Sequence, residues 1–171
     1  MSTRWTAITG ASAIQAVEAL GHDLLVDQVM LTQVATLGNA AGKVKSRFTH
    51  PGLCSDGMGK MLGHLTNWRV EGDKTVGDLQ LIEAAANAPG MGDLRGYVLD
   101  LAEQAPADFG LSIVFCGTPC WILPDGTEIP CDDPSLKRQC ESGSYFAKPD
   151  LATTDCPFAR VEELEAVDAV D

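Results

Sequence analysis

The sequence predicts a mainly β domain of the α+β class, and three observations favour it. Short runs rich in β-branched and aliphatic residues recur along the chain, as at 44–48 and 110–115. Turn signals such as Asp125-Gly126 separate pairs of these runs. Only residues 93–104 repeat apolar side chains unambiguously at helical spacing. Because 171 residues suffice for one sizeable core, we expect 1–171 to form a single domain.

The first third of the chain gives weak local signals. We predict a short helix over 12–20, strands over 23–34, a loop over 38–42 and a further strand over 44–48. The last of these strands leads directly to His50. Residues 51–63 contain four glycines and a proline, which favour a loop over a regular element.

The rest of the chain has clearer signals. A hairpin is expected from strands over 62–70 and 75–82 joined by a turn at 71–74. A helix over 93–104 begins with the N-cap Asp93 and is followed by Pro106. We then predict a buried strand over 110–115, a short hairpin over 121–130 and an irregular polar segment over 132–156. Residues 160–171 have a pattern that suits either a helix or a strand.

Composition and charge exclude several classes of partner. The formal net charge of -12 argues against nucleic acid, which is bound through clustered Lys and Arg. No apolar run approaches the roughly 18 residues that a membrane helix needs. Residues 1–5 lack the features of a signal peptide, so we expect a cytoplasmic protein.

Five of the six cysteines lie between residues 116 and 156. They are Cys116, Cys120, Cys131, Cys140 and Cys156. Zinc sites usually contain two closely spaced pairs of ligands, and only the first pair is close here. Without a secretion signal, disulfides are also less expected than in a secreted chain. Structural zinc, disulfides and unlinked thiols therefore stay open as interpretations of this segment.

Two residues could supply acyl-transfer chemistry. Ser112 is the one hydroxyl in an apolar predicted strand, and a serine nucleophile needs an adjacent base because its own proton is held tightly at neutral pH. His50, at the mouth of a glycine-rich loop, has the right residue type for that base. A hydroxyl bonded within a strand and a packed loop histidine are the plain structural alternatives. Cys54 is a rival nucleophile close to His50.

The remaining catalytic roles have several candidates. Asp168, Glu165 or His64 could orient and stabilise the charged imidazole. Asp168 is distinctive as an acid within an apolar run. An arginine could assist backbone N–H groups in stabilising an oxyanion, and Arg47 and Arg160 lie in or beside the motif segments. Ordinary salt bridges are the alternative role for both arginines.

An ordered set of motifs resembles the prohead (capsid maturation) serine proteases of tailed bacteriophages, which are related in fold to the herpesvirus assemblins. The motifs are Arg-Phe-Thr-His-Pro-Gly-Leu at 47–53, Leu-Gly at 62–63, Asn-Trp-Arg-Val-Glu-Gly-Asp-Lys at 67–74, Phe-Gly-Leu-Ser-Ile at 109–113 and the final segment from 158 to 170. The resemblance assigns His50 as the base and Ser112 as the nucleophile. It implies a compact β-barrel with flanking helices and no metal or organic cofactor.

The resemblance also implies a function. We expect a serine endopeptidase that cleaves scaffold protein, the major capsid protein and itself inside the immature capsid, in the host cytoplasm. Two departures from the family stand out: its last strand often carries serine where Asp168 lies here, and 116–156 looks like an insertion or a divergent segment. An inactive capsid-assembly module and a small zinc-binding domain are the alternatives. A homo-oligomer is left open.

Overall fold

The computed structural model describes residues 7–16, 18–19, 23–48, 60–106, 109–140 and 143–170. In these ranges the fold is mainly β with two α-helices, which confirms the α+β class. A four-stranded antiparallel sheet is accompanied by two-stranded antiparallel pairs, and the ladders between the described strands do not close a barrel. None of the described helices is long and apolar enough to cross a membrane.

The central sheet has the strand order β1-β6-β5-β4. Its strands are β1 (Ala7–Gln15), β4 (Val44–Arg47), β5 (Met61–Glu71) and β6 (Lys74–Leu81). The predicted hairpin is confirmed, and Gly72 adopts a φ of 63° in its turn, a conformation that glycine adopts without strain. The short helix predicted over 12–20 is wrong. Residues 11–13 alternate between buried and exposed positions, the period of a strand, and β1 pairs with β6.

Of the strands predicted over 23–34, only Leu24–Leu25 is observed, because helix α1 (Gln28–Ala41) occupies the rest from residue 28 onward and most of the predicted loop over 38–42. Asp27 caps it by accepting a hydrogen bond from the Met30 N–H, and Gly42 ends it with a φ of 72°. The apolar residues that suggested strands form the buried helix face: Met30, Leu31, Val34 and Ala35. Tertiary packing therefore outweighs the β propensity of this segment.

Helix α1 packs closely on β5. A Cβ atom at Gly38 would lie 2.6 Å from the Trp68 ring, so this helix position has room only for glycine. Asn39 fixes the register of the contact, because its amide donates to the Trp68 carbonyl and accepts from the Trp68 N–H. The helix thereby covers one face of the central sheet.

The second helix and the late hairpin agree with the sequence. Helix α2 (Leu94–Gln104) begins at the predicted cap, where Asp93 accepts from the Gly96 N–H. Strands β8 (Cys120–Ile122) and β9 (Glu128–Pro130) form the hairpin around Gly126, whose φ is 84°. The segment predicted to be irregular contains a further hairpin, so that prediction is wrong there. Its strands are β10 (Lys137–Cys140) and β11 (Gly143–Phe146).

The strands that carry Ser112 and Asp168 form another pair. Strand β7 (Gly110–Cys116) pairs antiparallel with β12 (Glu163–Val170), which resolves the ambiguity over 160–171 in favour of a strand. β7 is half-buried rather than buried. Ala169 of β12 pairs with Leu111 on one side and bridges to Phe48, beyond the end of β4, on the other. The β7–β12 pair therefore lies alongside β4. A minor pair is formed by β2 (Glu18–Ala19) and β3 (Leu24–Leu25).

Candidate functional site

Ser112 and Asp168 lie directly opposite each other on β7 and β12. In an antiparallel pair, directly opposite residues project from the same face with Cβ atoms about 5 Å apart. The register therefore brings the predicted nucleophile and the leading candidate for the third catalytic residue into one neighbourhood.

The two residues share the face of the pair that points away from the main core. Leu111 and Ile113, on either side of Ser112, pack against that core, and so do Val167 and Ala169 around Asp168. Because side chains alternate along a strand, Ser112 and Asp168 project from the opposite face. Ser112 is half-buried, so part of it is in contact with solvent.

Arg47, at the end of β4, binds the Asp168 carboxylate with two nitrogens. Arg47 Nε donates to Oδ1 at 2.8 Å and Nη2 donates to Oδ2 at 2.6 Å. The Asp168 side chain is 0% exposed and that of Arg47 is 20% exposed. The hydrogen bond to Asp168 raises the pKa of Arg47, against the opposing effect of burial. An ionised carboxylate has about four acceptor positions, so Asp168 can bind a further donor.

His50 and Cys54 lie outside the described residues, as does His22. The last described residue before His50 is Phe48, whose backbone bridges to Ala169, the neighbour of Asp168. The polypeptide leading to His50 thus leaves β4 beside the strand that carries Asp168. The assignment of His50 as the base stays a prediction.

The other two candidates for the third residue are placed differently. Glu165 is exposed, and its carboxylate accepts a hydrogen bond from the Cys116 thiol at 3.2 Å. His64 lies on β5 opposite Lys45, so β4 separates it from β12. Of the three candidates, Asp168 alone is the direct cross-strand partner of Ser112.

Arg160 belongs to a separate network at the start of α1. Its guanidinium donates to both carboxylate oxygens of Asp27 at 3.0 Å and also binds Glu128 of β9. The Arg160 side chain is only 8% exposed. These partners raise the pKa of Arg160 despite its burial. The network explains Arg160 as a structural residue that ties β9 to the cap of α1.

The late cysteines do not form a recognisable metal centre. Within the described ranges, no group of three or more His, Cys, Asp or Glu side chains is arranged to hold a metal ion. Cys116, Cys120 and Cys131 are free thiols, and burial raises the pKa of Cys120 to about 11. Cys120 is buried, so the segment that begins at 116 contributes to the interior of the protein.

Sequence reasoning missed the pairing of Arg47 with Asp168, although it selected both residues for other roles. The available signal was the acid in the apolar run 166–170, since a buried carboxylate requires a cation or several donors. No family model, curated protein or solved structure matches the chain. The features of the chain that bear on function are therefore its ordered motifs and the arrangement of Ser112, Asp168 and Arg47.

Proposed function

We propose that this protein is a serine endopeptidase of the capsid-maturation type. Ser112 is the nucleophile, His50 the general base and Asp168 the residue that orients the imidazole. The observation that carries the proposal is the register that sets Ser112 opposite the buried Asp168. The ordered motifs around residues 47–53 and 109–113 support the same roles.

In this mechanism the Ser112 Oγ attacks the scissile carbonyl while its proton passes to His50. The negative charge that develops on the carbonyl oxygen is stabilised by backbone N–H groups near the nucleophile. His50 then gives the proton to the departing amine, and an acyl-enzyme remains on Ser112. A water molecule, deprotonated by the same imidazole, releases the acid product and restores the serine.

A buried carboxylate suits the third role. Asp168 keeps the imidazole in one tautomer and stabilises its protonated form during the reaction. A carboxylate with no exposed surface needs strong compensation, which Arg47 supplies here. The two hydrogen bonds from Arg47 therefore fix the Asp168 side chain in position before substrate binds.

The finer architecture and the biological setting are part of the proposal. We propose that the β-barrel of the assemblin type is completed around the described sheet, since β1 lies near β7 and β12 lies near β4. The substrates are scaffold protein, the major capsid protein and the protease itself, cleaved inside the immature capsid in the host cytoplasm. The proposed mechanism uses side chains, backbone N–H groups and water, and requires no cofactor.

The decisive test is reaction with a serine-directed fluorophosphonate, followed by mass mapping of the labelled peptide. We expect the label on Ser112, and its loss in Ser112→Ala and in His50→Gln. Ser12→Ala is the matched control, because Ser12 is an exposed serine on β1, where it pairs with Val76 of β6. Proteolysis of scaffold protein retained in a Ser112→Ala variant would exclude the assignment.

The alternative functions make different predictions. An inactive capsid-assembly module would remain folded and unlabelled by the fluorophosphonate. A zinc-binding domain would retain stoichiometric zinc in elemental analysis of the purified protein. The observation that favours the protease is the position of the partly exposed Ser112 directly opposite the buried Asp168.

A further inference from the structure

We infer that Arg47 is a positioning residue of the site, which holds the Asp168 carboxylate in a single orientation opposite Ser112. The inference rests on the proposed function, since it gives Arg47 a role in the reaction assigned to Ser112. Arg47 touches Asp168 and acts through it, so it is not itself a catalytic residue.

The contact between Arg47 and Asp168 is of the kind that fixes orientation. Two nitrogens of one guanidinium, Nε and Nη2, bind the two different oxygens of one carboxylate. Such a fork aligns the planes of both groups, whereas the single ammonium of lysine supplies charge without this alignment. The Asp168 carboxylate cannot rotate without breaking at least one of the two hydrogen bonds.

The strand arrangement turns this local constraint into a constraint on the site. Asp168 is held from one side by Arg47 of β4 and is paired across its backbone with Ser112 of β7. Asp168 of β12 therefore has Arg47 of β4 bound to its carboxylate and Ser112 of β7 opposite it in register. Arg47 also precedes His50, the proposed base, by only three positions in the chain.

A purely structural role for Arg47 would need only its positive charge. In that case Arg47→Lys would satisfy the buried carboxylate and leave the site active. Positioning by the fork instead requires the guanidinium shape. Arg47→Lys therefore distinguishes the two roles, because it keeps the positive charge and changes the geometry of the contact.

The experiment compares fluorophosphonate reaction rates of Ser112 in wild type, Arg47→Lys and Arg47→Ala, with Lys45→Ala as the control. Lys45 is an exposed cation on the same strand. Thermal melting of each variant shows whether it is folded at the assay temperature. Because Arg47 is 20% exposed, a small soluble guanidinium can reach the vacated position, and Arg47→Ala is also assayed with added methylguanidinium.

We expect Arg47→Lys to be folded and to react about 10²-fold more slowly than wild type, the scale of loss caused by small misplacements in an active site. Lys45→Ala should react at the wild-type rate. Methylguanidinium should accelerate Arg47→Ala in a saturable manner and leave wild type unchanged. If Arg47→Ala is unfolded, the reaction rate of Ser112 in Arg47→Lys alone tests the positioning role.

A wild-type rate in Arg47→Lys, or a folded Arg47→Ala that methylguanidinium does not accelerate, would overturn the positioning role while leaving the protease assignment intact. Absence of label on wild-type Ser112 would overturn the protease assignment and this inference with it. The two failures are therefore distinguishable.

Discussion

Ser112 and Asp168 are direct cross-strand neighbours on β7 and β12, and Asp168 is completely buried. The residues that flank the pair, Leu111 and Ile113 on β7 and Val167 and Ala169 on β12, are all apolar. A hydroxyl opposite a buried carboxylate is unusual in such surroundings.

Asp168→Asn should lower both stability and reactivity. The amide cannot accept from both Arg47 nitrogens, so a largely buried guanidinium loses part of its compensation. We expect unfolding in urea to show a loss of about 3 kcal/mol, the low end for a broken buried pair because Arg47 retains some solvent contact. Fluorophosphonate labelling of Ser112 should fall in parallel. Glu165→Gln, at an exposed position of the same strand, serves as the control and should leave stability nearly unchanged.

Arg160→Met should destabilise the protein by about 3 kcal/mol, since it leaves Asp27 and Glu128 without their shared cation. The loss should appear in urea denaturation monitored by tryptophan fluorescence. Arg95→Met is the matched control, because the Arg95–Glu83 pair is largely solvent-exposed on the Glu83 side and is worth about 0.5 kcal/mol. Equal losses in the two variants would contradict the structural role of the Arg160 network.

The Arg160 network should also contribute to acid sensitivity. The hydrogen bond from Arg160 holds the pKa of Glu128 below its ordinary value of 4.5. A carboxyl with a lowered pKa in the folded state adds stability that is complete above its ordinary pKa and is lost as pH falls through the folded value. Stability measured between about pH 5 and pH 3 should therefore decline less steeply in Glu128→Gln than in wild type.

Glu103→Gln, at an exposed position on α2, is the control for the pH series and should follow the wild-type slope. Identical slopes in wild type and Glu128→Gln would show that protonation of Glu128 is not linked to unfolding. The comparison uses slopes, so a constant offset in stability between the variants does not affect it.

Gly38→Ala should destabilise the protein although alanine is the better helix former. The added Cβ would lie 2.6 Å from the Trp68 ring, and overpacking of this kind costs about 1–3 kcal/mol. Helix propensity alone would predict a gain of about 1 kcal/mol. Ala40→Gly, at an exposed position of the same helix, isolates the propensity effect. A stabilised Gly38→Ala protein would contradict the close packing of α1 on β5.

Cysteine alkylation should follow burial and local charge. Cys116 is exposed, whereas Cys120 is buried with a pKa raised to about 11, so native iodoacetamide treatment should modify Cys116 first. The hydrogen bond to Glu165 raises the pKa of Cys116, and Glu165→Gln should therefore accelerate its alkylation. Mass mapping gives both rates, and denatured protein provides the reference. Faster modification of native Cys120 than of Cys116 would be inconsistent with the burial described.

The elements predicted correctly are those with strong local signals. The turn at 71–74 and the helix capped by Asp93 depend on residues close in sequence, and both are confirmed. Helix α1 was missed because Val29, Leu31 and Val34 favour strands by composition. Its identity is decided by the Asp27 cap and by burial against β5, and the latter is a tertiary effect.

The site shows the same contrast between local sequence signals and tertiary effects. Ser112 and Asp168 could be selected from sequence because a polar residue in an apolar run is conspicuous. The partnership of Asp168 with Arg47 could not, because the two residues are 121 positions apart and meet only through the arrangement of β4 beside β12. Residue types reveal which groups are chemically capable, whereas topology decides which of them meet.

The position of β12 also has a consequence for biosynthesis. Its strand neighbours, β4 and β7, are translated well before it, yet both need it to bring Arg47 and Ser112 to a common acid. A nascent chain on the ribosome consequently carries the hydroxyl long before it carries the carboxylate. The pairing of Asp168 with Ser112 and its salt bridge to Arg47 therefore form only after β12 has been translated and has docked beside β4 and β7.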